Sequence, residues 1–322
     1  MVARCPGYAS TRATHRARRY HLPTPPAWSL QMSQSQRDVL AIDAVVNLWT
    51  DEALAVRPSA LKGFYVDKIG REETAYQGIP LEQMLERMDA AGIERAFLIA
   101  VKCGREGLRS HFRVPYEVVH QACQRYPDRF YGLAGIDPFE GMAGVRELER
   151  AVSEYGFVGA HYYPHWFEIP PDHRKMYPFY VKCIELGIPI QMQVGQSLIY
   201  TPDNPMRSVG QPILLDTVAC DLPELKLIGI HVGVPWTDEM IAMAWKHPNV
   251  FIGTDAHSPK YWPQSFVHYI NTYGQDKVIF GTDFPVLDFD RTLREIDGHG
   301  FRPGPLRKLL RDNVMRIYGL GD

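Results

Sequence analysis

The sequence lacks the cysteine patterns of zinc ribbons, redox motifs and disulfide-linked secreted domains. It has five cysteines, an odd number, and no two of them are close enough for a CxxC motif. We therefore expect free thiols in a reducing cytoplasm, and a cytoplasmic protein. The five are Cys5, Cys103, Cys123, Cys183 and Cys220.

Nucleotide-binding and membrane-spanning patterns are also missing. Neither GxGxxG nor GxxxxGKS/T occurs, so no nucleotide cofactor is expected. No apolar run reaches the roughly 18 residues that a membrane span needs. The formal net charge of -2 gives no general attraction to nucleic acid or to a membrane surface. A small molecule is the remaining class of partner.

The N-terminal segment differs in composition from the rest of the chain. Residues 1–31 contain five arginines and no acidic residue, and a proline-rich run follows the arginines. We expect residues 1–38 to be a disordered extension, or non-native sequence upstream of a start at Met32, and residues 39–322 to be the folded domain. A targeting segment is the alternative that the arginine content leaves open.

From Val39 onward, eight short apolar segments alternate with amphipathic segments of helical periodicity. Such alternation predicts a parallel sheet with helical crossovers, and eight units predict a closed (β/α)8 TIM barrel. The predicted strands are Val39–Leu48, Ala96–Val101, Phe130–Ile136, Phe157–Tyr162, Ile188–Val194, Leu225–His231, Val250–Thr254 and Val278–Asp283.

Polar and aromatic side chains collect where these strands end, which is where barrel enzymes place their chemistry. Taken singly, His231 could be a core histidine and Asp283 a helix N-cap. Their joint position at strand ends predicts a shared pocket, in which Asp255 is an alternative partner for His231. The candidate site residues are Asn47, Trp49, Lys102, Arg105, His161, His165, Gln193, Gln196, His231, His257 and Asp283.

Several segments resemble the amidohydrolase-related family, in the branch of aminocarboxymuconate-semialdehyde decarboxylase and the resorcylate decarboxylases. The resemblance covers about residues 42–320 and implies a distorted (β/α)8 barrel, often a homodimer. Its carriers are Ile42-Asp43, GAHYYPHWF at 159–167, GIHVG at 229–233, FGTDFP at 280–285 and Asp312-Asn313.

The resemblance also implies a metal site, which this sequence has only in part. Family members carry two strand-one histidines where this chain has Val45 and Asn47, and a strand-five histidine where it has Gln193. His231 matches the family's catalytic acid/base or ligand residue, and Asp283 matches its metal ligand or base. Because tight zinc sites need about three nitrogen, sulfur or carboxylate ligands, we expect zinc, manganese or magnesium to bind weakly or not at all.

Two hypotheses for function follow. The first is an enzyme acting on a small cyclic or aromatic carboxylate or carbonyl compound, by hydrolysis or non-oxidative decarboxylation, with His231 and Asp283 central. In it, Lys102 or Arg105 would hold an anionic group of the substrate. The second is a non-catalytic ligand-binding barrel that has lost its metal site.

Overall fold

Eight parallel strands form one sheet whose spatial order follows the order of the chain. The computed structural model describes residues 38–59, 61–72, 76–108, 110–199 and 205–321. Each apolar segment predicted to be a strand contains or overlaps one, so the predicted alternation is confirmed, although the second strand begins at Ile93, three residues before the predicted start. The sheet strands are β1 (Ala41–Asn47), β2 (Ile93–Ala100), β5 (Phe130–Gly135), β6 (Gly159–Tyr162), β7 (Ile190–Gln193), β8 (Leu227–Ile230), β9 (Val250–Gly253) and β10 (Val278–Ile279).

Backbone hydrogen bonds between the first and last sheet segments close the barrel. The Ala44 N–H donates to the Phe280 carbonyl at 3.0 Å, and the Asn47 N–H donates to the Phe284 carbonyl at 3.0 Å. Residues 280–284 follow β10, so the last strand continues irregularly along β1. The sheet is therefore a closed barrel, and the predicted TIM-barrel fold is confirmed.

Helices surround the barrel and cover its outer face. The first long one begins after Pro80, buries Leu81, Met84 and Met88 at helical spacing, and ends at Gly92, whose φ of 81° suits glycine. The helices are α1 (Asp51–Ala55), α2 (Leu61–Gly63), α3 (Leu81–Ala91), α4 (Tyr116–Arg125), α5 (Gly141–Ser153), α6 (Pro164–Phe167), α7 (Tyr177–Leu186), α8 (Leu214–Asp221), α9 (Thr237–Lys246), α10 (Gln264–Asn271), α11 (Phe289–Asp297), α12 (Pro303–Arg307) and α13 (Asn313–Tyr318).

Two local structures near the strand ends were not predicted. A short antiparallel pair, β3 (Lys102–Cys103) and β4 (Phe112–Arg113), follows β2. After β1, the chain forms α1, α2 and a π-helical turn at Phe64–Lys68. Both segments have mixed composition without a clear period, so periodicity could not identify them. Both contribute residues to the cavity described below.

The interior of the barrel is packed with side chains. The Gln191 amide is fully buried and donates to the Ala44 carbonyl at 2.7 Å and to the Tyr318 hydroxyl at 2.5 Å. Its Oε1 lies 3.0 Å from Nδ1 of His161, which is also fully buried. Gln191 thus bonds through both atoms of its amide, whereas His161 bonds through Nδ1 and its Nε2 is buried without a hydrogen-bond partner.

The described residues contain no helix that is both long and apolar enough to cross a lipid bilayer. The expectation for residues 1–38 lies, apart from Asp38, outside the described residues. It stays an expectation.

Candidate active site

Three ionisable side chains meet where neighbouring strands end. His231 follows β8, Asp255 follows β9 and Asp283 follows β10. His231 Nε2 lies 3.2 Å from Asp255 Oδ2 and 3.8 Å from Asp283 Oδ2. One donor atom from each of the three side chains lies within 4.8 Å of the other two. His231 and Asp283, predicted to share one site, therefore do so.

The backbone at this cluster adopts conformations that side chains rarely tolerate. His231 has a φ of 70° and Asp283 a φ of 54°, both in the left-handed region. Such strain persists only where surrounding contacts fix the backbone. Here the Asp283 N–H donates to the Val45 carbonyl at 2.8 Å, and the His231 N–H donates to Asp255 Oδ1 at 3.2 Å. These bonds direct both side chains toward the cluster.

A buried carboxyl below the cluster holds the last strand in place. Asp43 accepts hydrogen bonds from the Thr282 backbone N–H at 3.0 Å and from the Thr282 hydroxyl at 2.6 Å. It also accepts from the Val45 N–H at 3.1 Å. Burial raises the pKa of Asp43 to about 7 although these hydrogen bonds oppose the shift. Asp43 thus fixes the residue that precedes Asp283.

Asn47 and Arg57 extend the network on the other side of Asp283. The Asn47 Nδ2 donates to Asp283 Oδ1 at 2.7 Å and to the Phe284 carbonyl at 3.1 Å. The Arg57 Nη2 donates to Asn47 Oδ1 at 3.1 Å. Because a guanidinium only donates and a carboxylate accepts, this network fixes which end of the Asn47 amide is oxygen.

Arg57 is itself nearly buried and only partly satisfied. Its guanidinium carbon lies 4.8 Å from the centre of the Trp49 ring and 5.2 Å from that of Phe112. Its Nε is buried without a hydrogen-bond partner. A buried cation with an unused donor that lines a cavity is suited to bind an anionic ligand.

Burial favours the neutral form of each ionisable group in the cluster. It lowers the pKa of His231 well below its usual value, and the neighbouring His257 and His165 add to the shift. It raises the pKa of Asp255 well above its usual value, with the negative charge of Asp283 as the second cause. It raises the pKa of Asp283 to about 7, against the opposing hydrogen bond from Asn47.

His231, Asp283 and Arg57 open into one cavity with aromatic walls, while Asp255 is fully buried and does not line it. The space between its lining side chains, including the part open to solvent, is about 780 Å³. The cavity is lined by Asn47, Arg57, Leu61, Phe64, Tyr65, Val101, Cys103, Phe112, Tyr163, His165, Trp166, Gln193, Gln196, Ser197, Leu198, Ile199, His231, Ala256, His257, Asp283 and Val286.

Two further histidines reach this cavity, as predicted. His165 Nδ1 accepts from the Val209 N–H at 3.0 Å, so the neutral ring carries its proton on Nε2, which is buried without a partner. The His257 ring lies 6.5 Å from that of His231, centre to centre. Burial lowers the pKa of both His165 and His257 to about 4. Predicted residues Asn47, Gln193 and Gln196 also line the cavity.

Lys102 and Arg105, predicted to hold an anionic group of the substrate, do not line the cavity. The Lys102 ammonium forms ion pairs with Glu140, at 2.7 Å, and with Glu147. The Arg105 guanidinium is exposed and lies 4.5 Å from the centre of the Phe139 ring. The sequence predicts that both residues follow β2, but it does not predict where either side chain points. Arg57, which could not be predicted from the sequence, is the Lys or Arg side chain that lines the cavity among the residues the structure describes.

Trp49 and His161 lie beneath the cavity rather than in its wall. Trp49 is buried and packs against Tyr65, at 5.2 Å between ring centres, under the Arg57 guanidinium. His161 points into the barrel interior, where it pairs with Gln191. Both residues were predicted only from their position at a strand end. That position does not show whether a side chain lines the cavity or lies inside the barrel.

Asp255 was named only as an alternative partner of His231, and the structure brings it fully into the cluster. Its position after a predicted strand was the available signal. Arg57 had no comparable signal, because it lies ten residues beyond Asn47 in a segment without clear periodicity.

Comparison with known proteins gives one family match over most of the chain. The family model described as amidohydrolase matches residues 42–320. Gamma-resorcylate decarboxylase of Rhizobium radiobacter is 24% identical over 294 residues, covering 73% of this chain and 86% of that protein. The 2-keto-4-carboxy-3-hexenedioate hydratase of a Sphingobium species is 33% identical over 128 residues, covering 34% of this chain and 36% of that protein.

Solved structures share the barrel over nearly their full length. An uncharacterised TIM-barrel protein of Bordetella bronchiseptica has a TM-score of 0.72 at 23% identity, covering 87% of this chain and 99% of that one. The 5-carboxyvanillate decarboxylase of Novosphingobium aromaticivorans, a variant solved with bound manganese, has a TM-score of 0.67 at 19% identity, with 89% and 99% covered. At these identities the likeness establishes the fold.

Proposed function

The chain belongs to the amidohydrolase 2 family of enzymes, and from this premise we propose that it decarboxylates a small aromatic carboxylate without an oxidant. The observation that carries the proposal is one cavity with aromatic walls, an unsatisfied buried guanidinium and the His231 cluster. The decarboxylases among its relatives support this reaction over a non-catalytic barrel.

The cavity is suited to an aromatic ring that carries an anionic group. Phe64, Tyr65, Phe112 and Tyr163 offer ring faces and edges against which a flat substrate can pack. Arg57 offers Nε to a carboxylate or phenolate oxygen of that substrate. We assign to Arg57 the role that the sequence reading gave to Lys102 or Arg105.

Decarboxylation of an aromatic ring exchanges carbon dioxide for a proton at the same carbon. The ring carbon takes up a proton, the bond to the carboxyl carbon breaks, and its electron pair returns to the ring. His165 and His257 bring exchangeable ring protons to the cavity, and we propose them as the groups that hydrogen-bond the substrate or pass it a proton. His231 and Asp283 remain central to the proposal, because they line the part of the cavity where the reacting carbon of the substrate would lie.

The donor set of the cluster fits a divalent metal. His231 Nε2 and Asp255 Oδ2 are buried without hydrogen-bond partners, and Asp283 supplies a third donor atom within reach of both. These residues would hold the ion, and one nitrogen with two carboxylate oxygens suits manganese. When bound, the metal would supply a Lewis acid that neutralises charge on substrate oxygens.

The test is a screen of hydroxybenzoates and benzene dicarboxylates in deuterated buffer with manganese present. We expect release of carbon dioxide and one deuterium at the ring carbon that lost the carboxyl group. His231→Gln should abolish turnover, while His268→Gln, at an exposed histidine of α10, should leave it unchanged. Absence of carbon dioxide across the panel, with activity on esters or amides instead, would replace decarboxylation by hydrolysis.

Hydration of an unsaturated carboxylate is the second candidate. It is favoured by the 33% identity to the Sphingobium hydratase, over 34% of this chain. The same cavity would hold such a substrate by its carboxylate at Arg57. Loss of alkene absorbance without carbon dioxide release would identify this reaction.

A cytoplasmic homodimer also remains part of the proposal. It is supported by the cysteine usage and by the resemblance to a family whose members are often dimers. Light scattering on the purified protein measures its mass in solution, and a monomer at micromolar concentration would contradict the dimer.

A further inference from the structure

The structure separates the residues that can contact a metal from those that position its ligands. We propose that the metal ligands of this chain come from the ends of β8, β9 and β10, with Asp255 taking the place of strand-one ligands, and that Asn47 positions Asp283 instead of binding metal. The inference rests on the proposed function only in assuming that a divalent metal belongs in this cavity.

Each carboxylate of the cluster has one oxygen occupied and one available. Asp283 Oδ1 accepts from Asn47 Nδ2 at 2.7 Å, and Asp255 Oδ1 accepts from the His231 N–H at 3.2 Å. The other two oxygens lie 3.8 Å and 3.2 Å from His231 Nε2. Carboxylates fixed through one oxygen and turned toward a common point by the other are typical of metal ligands held by outer contacts.

Strand one contributes no donor atom to this point. Val45 is apolar and packs at Gly281, whose added Cβ would lie 3.1 Å from Val45 Cγ2. The Asn47 oxygen is held by the Arg57 guanidinium at 3.1 Å, so the amide presents its nitrogen to Asp283. The lone pair of an amide nitrogen is delocalised into the carbonyl, so a nitrogen that faces the site with its two hydrogens donated is not a metal ligand.

Asp255 supplies the missing ligand from the neighbouring strand. It is fully buried, and its Oδ2 has no hydrogen-bond partner although His231 Nε2 lies 3.2 Å away. Leaving a buried carboxylate oxygen unsatisfied is costly unless a ligand meets it. Together with His231 and Asp283 it gives three ligands, enough for a divalent ion with positions left for substrate.

The test measures binding of manganese alone, without turnover. A second group of metal-type donors, Asp216, Cys220 and His247, lies apart on α8 and after α9, so every protein tested carries Asp216→Asn to remove it. Free manganese is followed by its electron paramagnetic resonance signal and by calorimetry. We expect one manganese per chain, and loss of at least about 100-fold in affinity with Asp255→Asn.

Substitution of Asn47 by aspartate separates the two roles for that residue. If Asn47 were a ligand, Asn47→Asp would add a charged oxygen donor and tighten manganese binding. If it positions Asp283, the change removes the donated hydrogen bond and places two carboxylates together, so we expect binding to weaken about tenfold or more. Tighter binding in Asn47→Asp would overturn the assignment.

Two results keep the test decisive where a variant is unstable. Asp255→His retains a ligand but replaces oxygen by nitrogen, so we expect the preference to move from manganese toward zinc. Thermal unfolding with and without manganese checks folding and should show a metal-dependent rise in Tm for the parent protein. Unchanged affinity in folded Asp255→Asn, or no manganese binding by the parent, would refute the inference. Neither outcome depends on which reaction is catalysed.

Discussion

Replacing Arg57 by methionine tests how the cavity recognises its ligand. Methionine keeps an unbranched side chain to pack between Trp49 and Phe112, whose ring centres lie 4.8 and 5.2 Å from the guanidinium. It removes the positive charge and the Nε donor that has no protein partner. The change therefore acts on an anionic ligand more than on packing.

The magnitude follows from the hydrogen bond that is lost. A hydrogen bond to a charged group contributes about 1.5–3 kcal/mol, so the Kd of an aromatic carboxylate should rise about 10- to 150-fold. Benzamide has the same shape and can accept this bond through its carbonyl, but it carries no charge to pair with the guanidinium, so its affinity should fall less. The affinity ratio of benzoate to benzamide should exceed about 10 in the wild type and fall toward about 1 in Arg57→Met.

Calorimetry with benzoate and benzamide measures this ratio without turnover. Arg57→Lys is the matched control, because it keeps the charge but not the planar fork, and should retain part of the preference for benzoate. Thermal unfolding distinguishes a local effect from loss of the fold. An unchanged ratio of benzoate to benzamide affinity in a folded Arg57→Met protein would refute the role of Arg57. The carboxylate would then have to bind another donor of the cavity.

Three further predictions concern the barrel beneath and beside the site. Burial lowers the pKa of His161 to about 3, so the stability tied to its neutral form is complete above pH 6.5 and is lost as pH falls toward 3. His161→Asn, which keeps a donor, should flatten the decline by about 2 kcal/mol between pH 7 and pH 5 in denaturant titrations. Lys102→Met should lower the free energy of unfolding by about 1–3 kcal/mol in urea titrations, since two carboxylates lose their ion pair, yet leave the Kd of benzoate unchanged. Gly135→Ala should lose about 3 kcal/mol or fail to fold in thermal melts, because its Cβ would lie 2.2 Å from the Ala100 carbonyl oxygen. A carboxylate affinity that depends on Lys102, or a flat pH profile in the wild type, would contradict the corresponding assignment.

The barrel could be predicted from sequence because its signal is repeated along the chain. Each strand is a short apolar run between polar helices, and burial on both faces makes that run nearly continuous, as in Ala41–Asn47. A single misread segment would not have changed the fold class. The same argument located the ends of strands, and so His231 and Asp283.

Side-chain direction could not be predicted, and this explains the residues that the sequence reading misplaced. Lys102 follows β2 but turns toward Glu140 and Glu147, because the antiparallel turn after β2 redirects the chain. His161 lies on a strand and faces the interior layer. A position at a strand end predicts that a residue lies near the site. It does not predict whether the side chain points into the cavity or away from it.

Arg57 could not be predicted as a site residue from the sequence. It lies in a segment of short helical turns with no strong period, and its partner Asn47 is recognisable only once the fold places them together. The use of Asn47 as a donor to Asp283 likewise depends on a contact between distant parts of the chain. Such contacts belong to the folded chain and leave no local pattern.

The seam between the first and last strands also determines when the site can exist. Asn47 and Asp283 are 236 residues apart in the chain, and the hydrogen bond between them lies beside the backbone bonds that join β1 to the segment after β10. During synthesis, the site therefore stays incomplete until the last strand has been made and has paired with β1. A ligand at this seam would bind only chains whose barrel has closed, and would therefore stabilise the closed barrel relative to forms in which the first and last strands are apart.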